Sequence, residues 1–252
     1  AGIDIINSIG AKEVKTTGHE SWNTGEWSSI LGYNGVFGSI DYSTHTPGYA
    51  SLNQATTTGK GTSMPNPDLK PENCITYRFG YQKDGFYTDV YHKNFKDAIT
   101  SVTVAKDTYK PINSGEMAVD GATIGYSKKD VLKSGMNLTS RFEFTKGEQQ
   151  NGDPISKTPP YTSYVKLDYK GIFTEWEYAP KDDSLSSDDI ADVRIYAYNN
   201  GYNVLNIGYV NNIGHIDYKI TINNIFNNSG RILGSSIDVL ERGVAASIGY
   251  NF

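Results

Sequence analysis

The last ten residues constrain the fold most. In Gly243–Phe252, Val244, Ala246, Ile248, Tyr250 and Phe252 fall on one side of an extended chain. Ala245, Ser247, Gly249 and Asn251 fall on the other. Strict period-two alternation marks a β-strand with one apolar and one polar face. The same period recurs upstream. Tyr161, Ser163, Val165, Leu167 and Tyr169 alternate with Thr162, Tyr164, Lys166 and Asp168, and Ile75, Tyr77, Phe79 and Tyr81 with Thr76, Arg78 and Gly80. Eleven strands are predicted, at about 27–33, 35–44, 73–82, 86–103, 117–127, 135–147, 159–170, 172–180, 202–211, 214–223 and 243–252. The segment 86–103 alternates least regularly.

The connections alternate too. Short ones, such as Asn34-Gly35, Lys83-Asp84-Gly85 and Lys170-Gly171, carry the residues that tight hairpins require. Long ones span about 45–72, 104–116, 148–158, 181–201 and 224–242. Short turns on one rim and long loops on the other characterise an antiparallel transmembrane β-barrel. No run of about 20 apolar residues exists, so a membrane-spanning helix is excluded. The mean hydropathy of -0.49 does not exclude barrel strands, whose two faces average out. Tyr occurs 19 times and sits at the ends of several apolar stripes, as interfacial girdles require. A secreted sandwich that binds carbohydrate or mediates adhesion would share the alternation and the tyrosines.

The net charge of -5 supplies no basic excess for phosphates, so no nucleic-acid partner is expected. The one cysteine, Cys74, allows no internal disulfide or Cys-based metal cluster. Ala1-Gly2-Ile3-Asp4 does not read as a signal peptide. His19, His45, His92 and His215 show no paired ligand spacing, so no metal site is assigned. The acidic run Asp182–Asp189 with Asp192 departs from the calcium-loop spacing and reads as a solvated loop. No catalytic constellation stands out; neither enzyme activity nor a cofactor is expected. Arg78, Arg141, Glu143, Lys166, Asp168, His215, Asp217 and Lys219 are assigned to inward faces, where a dry core would not accommodate them.

Residues Asn66, Pro67, Asp68, Leu69, Lys70, Pro71 and Glu72 precede a strand and resemble the NPxLKPE segment of TonB-dependent outer-membrane receptors. Tyr77–Gly80, Phe86–Tyr91, Val119–Ala122, Thr158-Pro159-Pro160 and Ile222–Asn228 resemble later segments of that family in the correct order. Arg78 and Asn227 stand where the family more often has acidic residues. Ile248, Tyr250 and Phe252 resemble its carboxy-terminal assembly signal. The resemblance covers about 27–252 and implies roughly the last half of a 22-stranded barrel, with residues 1–26 as an extracellular loop.

The resemblance further implies import of a scarce chelated nutrient, such as a ferric siderophore, across the bacterial outer membrane. The implied partners are the N-terminal half of the barrel with its plug domain, TonB acting through that plug, a small-molecule metal chelate and membrane lipid. The heptapeptide itself is read as structural. Ligand contacts are expected from His45, Tyr49, Tyr109, Tyr196, Tyr198 and Arg231, because rings and guanidinium groups suit bulky anionic chelates. A passive porin-like barrel is the other transport reading. An open sheet would leave two unpaired edges in lipid, so a partner must complete it.

Overall fold

A computed structural model describes residues 3–15, 21–58, 61–192, 199–231, 233, 235 and 237–251 of the 252, with backbone alone for 3–7, 9–15 and 21–23. The strands are β1 (Ile3–Lys15), β2 (Ser21–Tyr33), β3 (Val36–His45), β4 (Thr56–Thr58), β5 (Gly61–Ser63), β6 (Glu72–Lys83), β7 (Phe86–Lys96), β8 (Ile99–Ala105), β9 (Thr108–Asn113), β10 (Met117–Val131), β11 (Met136–Gln149), β12 (Tyr161–Tyr169), β13 (Ile172–Ala179), β14 (Tyr202–Ile213), β15 (Ile216–Asn223) and β16 (Gly243–Tyr250). Two short helices, α1 (Tyr49–Asn53) and α2 (Ser187–Ala191), lie in long connections.

Twelve strands form one antiparallel sheet in the order β1-β2-β3-β6-β7-β10-β11-β12-β13-β14-β15-β16. It is all-β and open, with β1 and β16 at its edges among the described residues. All eleven expected strands are present, with two corrections. The expected loop over 1–26 is instead a hairpin: β1 pairs with β2 from Ile3↔Tyr33 to Lys15↔Ser21. The sequence obscures it, because Ile6 interrupts the alternation of Ile3, Ile5 and Ile9 and Gly10 follows. The expected strand 86–103 breaks at Asp97, whose φ of 55° ends the ladder. Its second half, β8, leaves for a separate four-stranded sheet of order β4-β5-β9-β8.

That second sheet joins two long connections. β4 and β5 belong to 46–71, and β8 and β9 to 97–116. The link is a short parallel pairing, Thr62↔Thr108 and Ser63↔Tyr109.

Cross-strand register sorts the large sheet into two faces. One carries Leu31, Ile40, Tyr77, Phe79, Val90, Ile124, Phe142, Val165, Leu167, Ile207 and Ile220. The other carries Arg78, Asp89, Arg141, Glu143, Lys166, Glu175, Asp217 and Lys219. The apolar face is not a buried core: Phe79 is 62% exposed, Leu31 58% and Val90 54%. Leu52, Leu69 and Ala98, which are buried, lie in the long connections instead. A soluble sandwich would cover its apolar face with a second layer, so that reading is set aside. A bilayer accepts such a face directly. Tyr161 and Tyr169 end the apolar stripe of β12, eight residues and therefore about 26 Å apart along the strand. With a strand tilt of roughly 40°, this rises about 20 Å, most of the roughly 25 Å apolar band of a membrane barrel.

The short turns set the register. Asn34-Gly35, Asp84-Gly85 and Lys170-Gly171 have positive φ at both positions, the type I′ geometry whose twist matches paired strands. Each turn glycine's carbonyl accepts from the next strand: Gly35 from Gln82 N–H (2.7 Å), Gly85 from Ser127 N–H (2.8 Å) and Gly171 from Val210 N–H (2.8 Å). Successive hairpins are thereby tied together along one rim.

Within the sheet, glycines face aromatic rings. Gly121 pairs with Tyr91 and Gly125 with Tyr87. Gly80 pairs with Phe37 and Gly208 with Phe173. A Cβ on Gly125 would lie 2.1 Å from the Tyr87 ring. Gly125→Ala is therefore expected to lower stability by about 1–3 kcal/mol through overpacking. Adding Tyr87→Ala should recover part of that loss, so a double-mutant cycle by chemical unfolding should be non-additive. Simple additivity would refute the packing account.

Candidate ligand-facing loops and polar inner face

Antiparallel pairing places the connections 46–71, 97–116, 150–160, 180–201 and 224–242 on one rim. The heptapeptide 66–72 is a clamp between the first two. Asn66 is buried, and its amide donates to the Pro111 carbonyl (2.8 Å). Leu69 is 1% exposed. Lys70 N–H donates to Asn113 Oδ1 (2.9 Å), and Asn113 Nδ2 donates back to the Lys70 carbonyl (3.0 Å). Glu72 accepts from Ile99 N–H (2.7 Å), so it caps the start of β8. These bonds join loop to loop.

The acidic run is also internal scaffolding. Asp182, Asp189 and Asp192 are buried, contrary to the expected solvated loop. Asp189 Oδ1 accepts from Ser156 Oγ (2.6 Å) and Oδ2 from Lys157 N–H (3.2 Å), while Asp189 and Ser186 form the capping box of α2. The carboxylates thus satisfy backbone and hydroxyl donors of neighbouring loops, which offsets their desolvation. Residues 156 and 157, far away in sequence, supply those donors.

Asn224 organises the last loop. It is 1% exposed with a φ of 48°. Its Nδ2 donates to the Asn228 carbonyl (2.7 Å) and the Leu240 carbonyl (2.9 Å), and its Oδ1 accepts from Asn228 N–H (3.1 Å). Sequence reasoning assigned no role to Asn113 or Asn224. Asn224 had one signal, an Asn in an Asn-Asn-Ile-Phe-Asn-Asn run where left-handed backbone is common.

The expected ligand residues are dispersed. His45 is exposed at the end of β3 opposite Glu72, and Tyr49 begins α1 at 53% exposure. Tyr109 lies in β9. Arg231 is mostly buried, at 12% side-chain exposure, and its Nε donates to Asp238 (2.7 Å). Tyr196 and Tyr198 lie outside the described residues, as does Phe252. Ile248 and Tyr250 lie on the apolar face of β16.

The Arg231 pair sets a pH dependence. Its hydrogen bond and charge hold the Asp238 carboxyl below the usual aspartate range. A lowered folded-state pKa stabilises the bonded form above the ordinary aspartate value, and that contribution is lost as pH falls through the lowered one. Hydrogen exchange at Arg231 and Val239 amides, which bond to Gly201 and Gly230 carbonyls, should accelerate in that acid window. In Asp238→Asn the acceleration should be absent.

The polar face is a lattice of charge. Lys166 Nζ lies 2.9 Å from Glu175 and 4.0 Å from Asp168. Arg78 pairs with Asp89 at 3.6 Å and Arg141 with Glu143 at 3.5 Å. Lys166 and Lys219 both approach the buried Phe173 ring, at 5.3 and 4.9 Å from its centroid. Seven of the eight residues expected to point inward share this face. His215 does not: it occupies the Gly214-His215 turn, where its ring packs 5.8 Å from Tyr250 of the apolar face.

One apolar and one charged face, with long loops on a single rim, is a barrel wall between lipid and a wet interior. Over residues 16–227 the sequence matches the family described as TonB dependent receptor-like, beta-barrel. The chain belongs to that family. Among solved structures it resembles the copper transporter OprC, with a TM-score of 0.71 and 12% identity over 92% of this chain and 40% of that one. A ferric enterobactin receptor of Pseudomonas aeruginosa, PfeA, in complex with enterobactin matches with a TM-score of 0.62 and 15% identity over 90% of this chain and 40% of that one. The siderophore receptor PirA of Acinetobacter baumannii matches with a TM-score of 0.60 and 17% identity over 92% and 41%. The chain thus spans about two fifths of these receptors' length. No curated protein matches it by sequence.

Proposed function

We propose that this chain is the carboxy-terminal wall and outer loops of a bacterial outer-membrane importer for a scarce chelated nutrient, an iron complex foremost. Membership of the TonB-dependent receptor-like family carries this reading. The apolar face meets lipid and the charged face a wet lumen. The long loops face outward and meet the ligand, with His45, Tyr49, Tyr109, Tyr196, Tyr198 and Arg231 as first candidates. The open edges β1 and β16 are closed by the remaining barrel strands, which enclose a plug on which TonB acts. Phe252, with Ile248 and Tyr250, serves as the aromatic assembly signal. Nothing in this reading calls for catalysis.

The test is uptake by the complete receptor in cells stripped of their own siderophore receptors and starved of iron. A ferric siderophore should restore growth only when TonB is present. Restoration without TonB would favour a passive pore. No restoration by any ferric chelate would remove iron complexes as the cargo.

A further inference from the structure

The connection between β10 and β11 stands apart on the short-turn rim. Asn34-Gly35, Asp84-Gly85 and Lys170-Gly171 are tight and polar, whereas this turn projects through Leu132-Lys133-Ser134-Gly135. Leu132 is 92% exposed, the highest value for a large apolar side chain among the described residues. Its φ is 54°, and that of Lys133 is 56°. Left-handed backbone is costly for a bulky side chain, and glycine or asparagine would relieve it. The described residues bury little of Leu132 in return.

The turn is nevertheless built. Lys133 N–H donates to the Asp130 carbonyl (3.1 Å), and Ser134 N–H and Oγ donate to the Val131 carbonyl (3.1 and 2.6 Å). Asp130 Oδ1 accepts from Gly135 N–H (2.7 Å), and Asp130 N–H donates to Asn137 Oδ1 (3.1 Å). The polar groups of the turn bond to one another and leave the leucine side chain outside.

Cations surround it. Lys128, Lys129 and Lys133 are exposed, and their side chains form no ion pair among the described residues. The carboxylate within the turn, Asp130, is engaged by Gly135. The neighbouring turns add Lys83 and Lys170, with Asp84 between them and the tip. Parity puts Lys83 and Lys128 on the apolar face, two residues beyond Tyr81 and Tyr126. Lys170 Nζ lies 5.1 Å from the centroid of the Tyr169 ring. An apolar band, then tyrosines, then lysines is the order expected where hydrocarbon gives way to headgroups. Lysine stems can lie along apolar surface while their charges reach water. An apolar tip set among lysines suits an anionic lipid surface, which takes the one by insertion and the other by charge.

We propose that the β10–β11 turn is a contact site for anionic phospholipid. Leu132 dips into the hydrocarbon, and Lys128, Lys129 and Lys133 hold phosphate headgroups. The site rests on the membrane reading of the sheet, in which the long loops face outward and this rim meets the inner leaflet. It adds a preference for headgroup charge, which an apolar wall alone does not give.

The complete receptor, as parent and as Leu132→Trp, would be placed in vesicles of phosphatidylcholine and phosphatidylglycerol, with one or the other lipid brominated on its chains to quench tryptophan on contact. The emission added by the substitution should be quenched. At equal mole fraction, brominated phosphatidylglycerol should be preferred about fivefold or more, the contribution of one lysine at an anionic surface. The preference should fall towards parity when Lys128→Gln, Lys129→Gln and Lys133→Gln are added, and at high salt. No quenching, equal quenching by the two lipids, or a preference retained in the lysine variant overturns the proposal. A tip that instead docks an acidic protein in water would give the first of these results. Trp176 tests the membrane reading separately, since it lies on the apolar face opposite Val165. The emission lost in Trp176→Phe should be quenched by brominated phosphatidylcholine. If it is quenched and the tip is not, only this proposal falls; if it is not, the membrane reading falls as well.

Discussion

Val165→Arg in the complete receptor is expected to lower its unfolding free energy by about 2–4 kcal/mol, the cost of an arginine at the midplane of a barrel's lipid face. Val165 lies four residues from both Tyr161 and Tyr169, in the middle of the apolar stripe of β12. Its cross-strand neighbours are Ser140 and Trp176 on the same face, so no carboxylate is at hand to pair with the new charge. Thr162→Arg on the same strand is the control. Thr162 faces the polar side, where its hydroxyl donates to Glu143 (3.3 Å). An arginine there gains a carboxylate partner in a wet environment, and the expected change is below about 1 kcal/mol. Urea unfolding of both variants in lipid vesicles measures the difference. Equal losses would mean that the two faces do not meet different solvents, and the membrane reading of the sheet would fall.

Asn224→Ala should cost about 2–4 kcal/mol and release the loop 225–242. The variant strands the Asn228 N–H and the Asn228 and Leu240 carbonyls that the buried amide now satisfies. Each unmet buried group costs about 1–3 kcal/mol, less where water reaches it. It also places Ala at a φ of 48°, which Asn tolerates better. Asn224→Gly separates the contributions, since it relieves the backbone strain and still lacks the amide. Hydrogen exchange over 225–242 should rise in both variants, with the larger loss of global stability in the alanine form. Unchanged exchange would show that the loop is held by something other than Asn224.

The strands and their two faces were legible because alternation is local: a residue's face depends only on its parity within the strand. The heptapeptide identified the family, and the lattice Lys166–Glu175–Asp168 follows from parity once β12 and β13 pair. The long loops were not legible in this way. Arg231 reads as a ready anion ligand in the sequence and is joined to Asp238 in the fold. Asp189 reads as solvated and is a structural acceptor, since its donors come from residues 156–157.

By itself, then, the sequence determined an antiparallel sheet with one lipid-ready and one charged face, short turns on one rim and long loops on the other. Hydrophobic period and turn chemistry act over a few residues, so they survive reading in one dimension. Only the tertiary structure decided that residues 3–15 pair as a twelfth strand, that the chain turns out of the sheet at Asp97, and that two loops share a second sheet. Each of these depends on hydrogen bonds between segments distant in sequence, and no local pattern encodes which distant backbone will supply them.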